Sequence, residues 1–456
     1  MDLPKIFEPF VRESAVSVMA RGILENILPP QELDALFNEH AVRQYEDELL
    51  FSTLFEIAAL TVAGTRKSIN SSYHSIRERV QVVIRAVYDK LRKTETQVSQ
   101  ALVRCSASRS VAIVKAMGLA TMPLLPRLNV KILDGNHLAG TEHRLEETRH
   151  SNSKPLPGHA LVVLDPQAML MTDVFPCEDA YAQERSLLIE VLATVAANDC
   201  WIADRNFCTT EFLFGIKRLG AFFIIRQHGS TLNGKRLQGE RRFVGNCDGG
   251  KVYEQPIEID DPQMGEMLVL RRITVELDEP TRNGEHEIHI LTNVAPSIAD
   301  AVRIAAVYRQ RWTIENAFQE LDQALSSEIN TLCYPKAALL CFCVGVVLYN
   351  MLSVLKCAIR AEHPDAPPLS GYYLAEEIGA THRGMMIAIP RPHWTRAFGQ
   401  LTAEQMAAIL RSLAARIDPH RFRKNIRGPK KPPPKRTGGL REKHVSTARL
   451  LADRIK

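Results

Sequence analysis

The stretch AALLCFCVGVVLYNMLSVL at 337–355 carries almost no polar side chain. It is long enough to cross a bilayer. A helix apolar on every side can otherwise lie only at the centre of a large core. Asn350 and Ser353 interrupt the stretch, and no second one like it occurs in the sequence. The reading is therefore a buried core helix with no membrane partner, around which the other elements must wrap. With 456 residues, 45% hydrophobic and 24% charged, the chain has the size of roughly two to four domains and an ordinary globular balance.

Charge is unevenly spread. The net charge is +5. From Arg416 to Lys456 there are 14 Lys/Arg against 3 Asp/Glu, a net of +11, which leaves the rest of the chain, 43 against 49, at −6. A basic tail on an otherwise acidic protein is the footprint of a polyanion partner. That tail contains RGPKKPPPKRTGGLR, too rich in Pro, Gly and charge to pack a core, and is expected to be extended. The nine cysteines include no Cys-x-x-Cys pair, which argues against zinc and for free thiols in a reducing compartment. MDLPKIFEPF lacks the basic-then-apolar order of a signal peptide.

Hydrophobic periodicity divides the chain. Residues 1–110 read as helices, as in IFEPFVRESAVSVMARGILENIL. From 111 the texture becomes α/β. VKILDGNHL (130–138) reads as a strand ending at Asp134, and 159–165 with 168–176 as a hairpin around Pro166-Gln167. A helix is expected over 184–199, a strand at WIADRNF (201–207) with Asp204 near its end, a helix over 209–219 and a strand over 221–227. Residues 228–286 alternate between short apolar runs and Gly, Asn and Asp, the pattern of an all-β insertion. EIHILTNV (287–294) returns as a strand, Ser297–Asp300 supplies a capping box, and one long helix follows to about 325. Pro335 suits the start of the next helix. This gives a helical N-terminal domain (1–110), an α/β RNase H-like catalytic core in two parts (111–227 and 287–370), a β-strand insertion (228–286) between them, and a C-terminal helical region with a basic Pro-rich tail (371–456).

Three carboxylates stand out within this order: Asp134 and Asp204 on strands and Glu315 on the long helix. Carboxylates crowded together repel unless cations compensate. Mg²⁺ takes hard oxygen ligands and keeps room for substrate phosphate. Two such ions roughly 3.5–4 Å apart can activate the attacking oxygen and stabilise the leaving one in phosphodiester chemistry. Each residue also has a plainer use: Asp134 in a turn before Gly135-Asn136, Asp204 as partner of Arg205 or cap of the helix at Thr209, Glu315 as the i,i+4 partner of Arg311. Trp201 and Trp312 are read as core residues.

YRQRWTIE at 308–315, with Tyr308, Arg311 and Glu315 spaced as Y-x2-R-x3-E, resembles the signature of IS4-family transposases. LDGN around Asp134, ADRNF around Asp204, Arg226 in FFIIRQ and ILTNV before the glutamate helix fit the same family over roughly residues 130–357. The family pattern continues with a Lys seven residues after the Glu, and here that position is Asp322. The resemblance implies a DNA transposase that cuts and rejoins element ends, with Asp134, Asp204 and Glu315 holding two Mg²⁺ ions (Mn²⁺ able to substitute). It implies Arg226, Tyr308 and Arg311 on DNA, a homodimer on element ends and target DNA, and N-terminal helices that bind those ends. It also implies a hairpin route with a flipped base, for which Arg226, Phe243 and Tyr253 are candidates, and a cytoplasmic, nucleoid-associated bacterial setting. Two other classes remain open: a catalytically silent DNA-binding protein or inhibitor, and an RNase H-like nuclease that never joins ends.

Overall fold

The computed structural model describes residues 3–43, 48–118, 123–229, 232, 235–261, 264–281, 284–425, 428 and 445–453. Six helices come first: α1 (Glu8–Ile27), α2 (Pro30–His40), α3 (Phe51–Val62), α4 (Ile69–Ser75), α5 (Ile84–Lys93) and α6 (Thr96–Ala116). Then β1 (Asn129–His137), β2 (His159–Asp165) and β3 (Leu170–Cys177) form a meander. Its second turn is held by the Asp165 carboxylate, which accepts from the Gln167 and Ala168 N–H groups. After α7 (Leu188–Leu192), strand β4 (Asp199–Ala203), α8 (Thr210–Arg218) and β5 (Phe222–Arg226) add parallel strands beside β1.

The all-β segment supplies β6 (Arg236–Leu237), β7 (Arg242–Cys247), β8 (Gly250–Asp261) and β9 (Glu266–Leu277), followed by β10 (Glu287–Thr292). These strands do not stand apart. Among the described residues ten strands share one mixed sheet in the order β3-β2-β1-β4-β5-β10-β9-β8-β6, with β7 also on β8. The antiparallel meander joined to parallel strands, with helices on both faces, is consistent with the RNase H-like core expected from the sequence. The chain closes with α9 (Ala301–Arg309), α10 (Trp312–Ala324), α11 (Pro335–Glu362), α12 (Gly371–Ala388), α13 (Arg391–Phe398), α14 (Ala403–Ala414) and α15 (Thr447–Asp453).

The apolar stretch becomes the centre of α11, which Pro335 opens at its first turn and which is buried continuously from Ala337 to Leu355. It packs on α6, β3, α3, α5 and α14. N- and C-terminal helices therefore share one core. Phe7 meets Trp394 edge-on at 4.9 Å, and Phe398 sits so close to Gly22 that a Cβ there would lie 2.6 Å from the ring. The opposite face of the sheet has its own core, in which Leu133, Trp201, Phe223 and Ile225 pack with Phe212 and Leu213 of α8.

Four local expectations are corrected. Strand β1 does not end at Asp134 but runs on to His137, with Asp134 paired to Val162 inside the ladder. The helix expected over 184–199 shrinks to a 3₁₀ turn at Glu184–Leu187 and the five residues of α7. Asn198 there takes a left-handed conformation (φ 67°) and the Asp199 carboxylate accepts from the Ala196 N–H, which turns the chain into β4. Asp300 is itself the N-cap of α9, accepting from the Arg303 N–H at 2.7 Å. Finally, the long helix after it breaks at Gln310-Arg311, where backbone bonds tighten to i→i+3 at Gln310, Arg311 and Thr313.

Asn350 explains why a polar residue sits in the most apolar helix. It is fully buried. Its side chain accepts from the Met171 N–H and donates to the Met171 carbonyl, both at 2.8 Å. Met171 lies on β3, the edge of the sheet, so this pair satisfies backbone groups that an edge strand would leave bare. Replacing Asn350 with Leu strands both groups in the core. We expect a loss of about 2–5 kcal/mol in chemical denaturation, since each unsatisfied buried group costs roughly 1–3 kcal/mol. A loss below ~1 kcal/mol would show that the edge finds other partners.

Candidate active site

Three elements converge where β1, β4 and the α9–α10 break meet. Asp134 projects from the middle of β1. Asp204 follows β4 directly and caps the 3₁₀ turn Arg205–Phe207, accepting from the Asn206 N–H at 2.6 Å. The expected alternative, a cap on α8, is filled by Thr209. Glu315 stands in the first turn of α10. The break in the helix places Arg311 between the first and the third. Its Nη1 donates to Asp134 Oδ2 at 2.8 Å and its Nη2 to Glu315 Oε1 at 3.0 Å. The plain i,i+4 pair of Arg311 and Glu315 is thus present, and extends to a residue far away in sequence.

Electrostatics at this point are unusual. Burial pushes the Asp134 carboxyl up to about 7, although Arg311 and the Gly135 N–H pull it down; the charges of Asp204 and Glu315 add to the rise. The Tyr308 phenol, buried at the end of α9, is pushed up to about 12 by its burial, and the charges of Arg311, Arg226 and Asp204 act on it. Tyr308, Arg311 and the three carboxylates therefore form one charge cluster. Among the described residues, no group of three His, Cys, Asp or Glu side chains is arranged to hold a metal ion as it stands. The donor set nevertheless suits a hard divalent cation: Asp134 and Glu315 already converge on one positive charge, and Asp134 is a poorly compensated buried carboxylate.

Residues that the sequence reading missed brace this cluster. A Cβ on Gly135 would collide with Glu184 Oε1, so glycine lets that carboxylate close in on β1 from the face opposite Asp134. Glu184 accepts from Asn206 Nδ2 at 2.5 Å, and Arg185 Nε donates to the Asn206 carbonyl at 2.6 Å. Glu328 accepts from Asn136 Nδ2 at 3.3 Å and from the Ala139 N–H. Only the Gly-Asn and Arg-Asn dipeptides beside the two aspartates hinted at these contacts.

The remaining expected residues lie in mixed settings. Arg226 is held by Glu285 at 2.6 Å, and Glu285 also binds Arg205 at 3.0 Å. Phe243 and Tyr253 pack on each other at 5.6 Å across β7 and β8. Asp322 is exposed, two turns along α10 from Glu315. Trp201 is a core residue, 1% exposed, but Trp312 is not: it is 57% exposed. The break before α10 turns its indole outward, where the Arg311 guanidinium lies 4.6 Å from the ring centre.

The raised Asp134 carboxyl has a sign for stability. Unfolded, it ionises near 3.8; folded, it keeps its proton to about 7. The folded state therefore binds more protons across that window, and stability falls as pH rises through it. Asp134→Asn removes this penalty. In EDTA, melts at pH 8 should show the variant more stable than the parent by roughly 1–4 kcal/mol, with the gain gone near pH 4. Equal melting of the two proteins at pH 8 would sink the claim.

No curated protein sequence matches this chain. Among solved structures, the cryo-EM structure of the piggyBac transposase synaptic complex with hairpin DNA is similar over 91% of this chain and 86% of that one, with 10% identity and a TM-score of 0.38. Residues 126–351, just under half of the chain and the part that contains Asp134, Asp204, Arg226, Tyr308, Arg311 and Glu315, match the family model described as transposase DDE domain, which supports a DDE transposase.

Proposed function

We propose that this protein is a DNA transposase of the IS4 type that cuts and joins the ends of an insertion element. The observation that carries the reading is the meeting of Asp134 and Glu315 on Arg311, with Asp204 close enough for its charge to act on Asp134, inside the segment matched to the DDE domain. Asp134, Asp204 and Glu315 would hold the metal. Two bound ions, Mg²⁺ or Mn²⁺, would supply activated water and neutralise the departing 3′-oxygen. Tyr308 and Arg311 lie beside these carboxylates and would receive the phosphate at the cut, while Glu184, Arg185 and Asn206 hold the turn that carries Asp204.

In the first reaction, water oxygen bonds to phosphorus and the bond to the 3′-oxygen breaks, leaving a 3′-hydroxyl and a 5′-phosphate. That hydroxyl then displaces a second 3′-oxygen, on the opposite strand for a hairpin or on target DNA for insertion. Two ends must be held together, so the working form is a homodimer on DNA. The basic stretch 427–441, apart from Gly428, lies outside the described residues; its charge supports a role on the phosphate backbone.

Linear DNA bearing candidate ends, incubated with protein and Mg²⁺, separates this reading from its rivals. A transposase gives nicked and joined products, a nuclease only nicked ones, and a silent binder neither. Alanine at Asp134, Asp204 or Glu315 should abolish cleavage while leaving DNA binding largely intact, because each contributes a metal ligand and not a phosphate contact. Cleavage within about tenfold of the parent would remove that residue from the site.

Asp322 gives a second expectation. Exposed on the face of α10 that carries Glu315, its charge opposes a phosphate running along the helix. Asp322→Lys should tighten DNA binding at low salt and steepen the log–log salt dependence by about 0.9 for each further phosphate neutralised. Unchanged affinity and slope would mean the DNA does not run along this part of α10.

A further inference from the structure

The hydrogen bonds around Asp134 raise a problem for any metal at this site. Asp134 Oδ1 accepts from the Gly135 N–H at 3.0 Å, which the strand fixes. Its other oxygen is taken by Arg311, and so is Glu315 Oε1. A divalent ion shared by these two carboxylates would have the guanidinium as a like-charged neighbour at contact distance, where repulsion is strong because the group is 8% exposed. Arg311 and a shared ion thus compete for the same oxygens.

Arg311 is also poorly settled where it is. Its Nε is buried with no hydrogen-bond partner. Its guanidinium lies on the Trp312 ring, which is more than half exposed, so the buried cation has one neighbour that faces solvent. The helix is already broken at Gln310-Arg311, a place where a small backbone adjustment re-aims the side chain.

We propose that Arg311 is a resident counter-cation of the carboxylate cluster, released from Asp134 and Glu315 by a DNA phosphate, so that phosphate binding and divalent-metal binding at this site favour each other. The proposal rests on the reading of Asp134, Asp204 and Glu315 as metal ligands. Without DNA the guanidinium pairs with the largely buried Asp134 and the part-exposed Glu315 and keeps ions out. A phosphate offers the same guanidinium a bidentate partner nearer solvent, and its withdrawal frees two ligands. The coupling is reciprocal: whatever factor the phosphate adds to metal affinity, the metal adds to phosphate affinity.

The test is Mn²⁺ binding by the full-length protein, read as free-ion paramagnetic resonance and needing no catalysis. We expect Arg311→Gln to bind Mn²⁺ about tenfold more tightly than the parent without DNA, within the usual range of such couplings. Arg311→Lys, which keeps the charge but loses the planar fork that spans two carboxylates, should also bind more tightly than the parent. An effect of net charge alone would leave it at the parent value and overturn the proposal. A 30-base-pair duplex should tighten Mn²⁺ binding to the parent and not to Arg311→Gln, after subtraction of the signal from the double variant Asp134→Asn/Glu315→Gln. Should Arg311→Gln fail to fold, the lysine variant and the duplex titration of the parent carry the test. Equal affinity in parent and Arg311 variants, with binding lost in the double carboxylate variant, would overturn the counter-cation and leave the metal site standing. Binding that survives the double variant, or is missing everywhere, would overturn the metal site as well.

Discussion

Everything else in this molecule is arranged around the need to cover α11. A helix that is apolar on every side over residues 337–355 cannot lie on a surface, and a single sheet face can hide only one side of it. The sheet, through β3, and α6 take part of that surface; helices from both ends of the chain take the rest. This is why residues far apart in sequence, such as Phe7 and Trp394, end up in one core. It also explains a buried polar pairing on the helix: Asn350 ties α11 to the sheet edge at Met171 and so fixes its register against β3.

The same burial sets the chemistry of the candidate site. Asp134 lies within a ladder whose neighbours Ile132 and Leu133 are fully buried, so its charge is costly and must find compensation. Arg311 provides part of it from a helix that breaks in order to reach. On the other side of β1, Glu184 presses against Gly135 and grips Asn206, coupling the positions of Asp134 and Asp204. The sheet thus carries Asp134, Asp204 follows its strand β4 directly, and Glu315 sits beside a helix break.

The sheet does not stop at the core. Strands β8 and β9, twelve residues each, extend the same sheet, and β9 is anchored to β10 by the ladder over Arg271–Glu276. Glu285, in the connection between β9 and β10, reaches Arg226 and Arg205 and ties this extension to the turn that carries Asp204.

The sequence by itself determined the parts that rest on local pattern. The helical N-terminal region, the β2–β3 hairpin, the strands leading to Asp204 and Arg226, and the apolar core helix are all legible, because periodicity and turn residues act over a few neighbours. The spacing of Tyr308, Arg311 and Glu315 was legible too. Tertiary structure decided the rest. Only the β1–β2 register shows Asp134 to be inside a strand and not at its end. Only the reach of Arg311 to a carboxylate 177 residues away gives the helix after Asp300 a reason to break, and that break exposes a Trp312 that composition assigns to the core. The failed helix over 184–199 has the same origin, since its residues are good helix formers locally but must turn at Asn198 to enter β4. In each case a contact between distant residues outweighed a local preference of a few tenths of a kcal/mol per residue, and such contacts leave no mark on a single sequence.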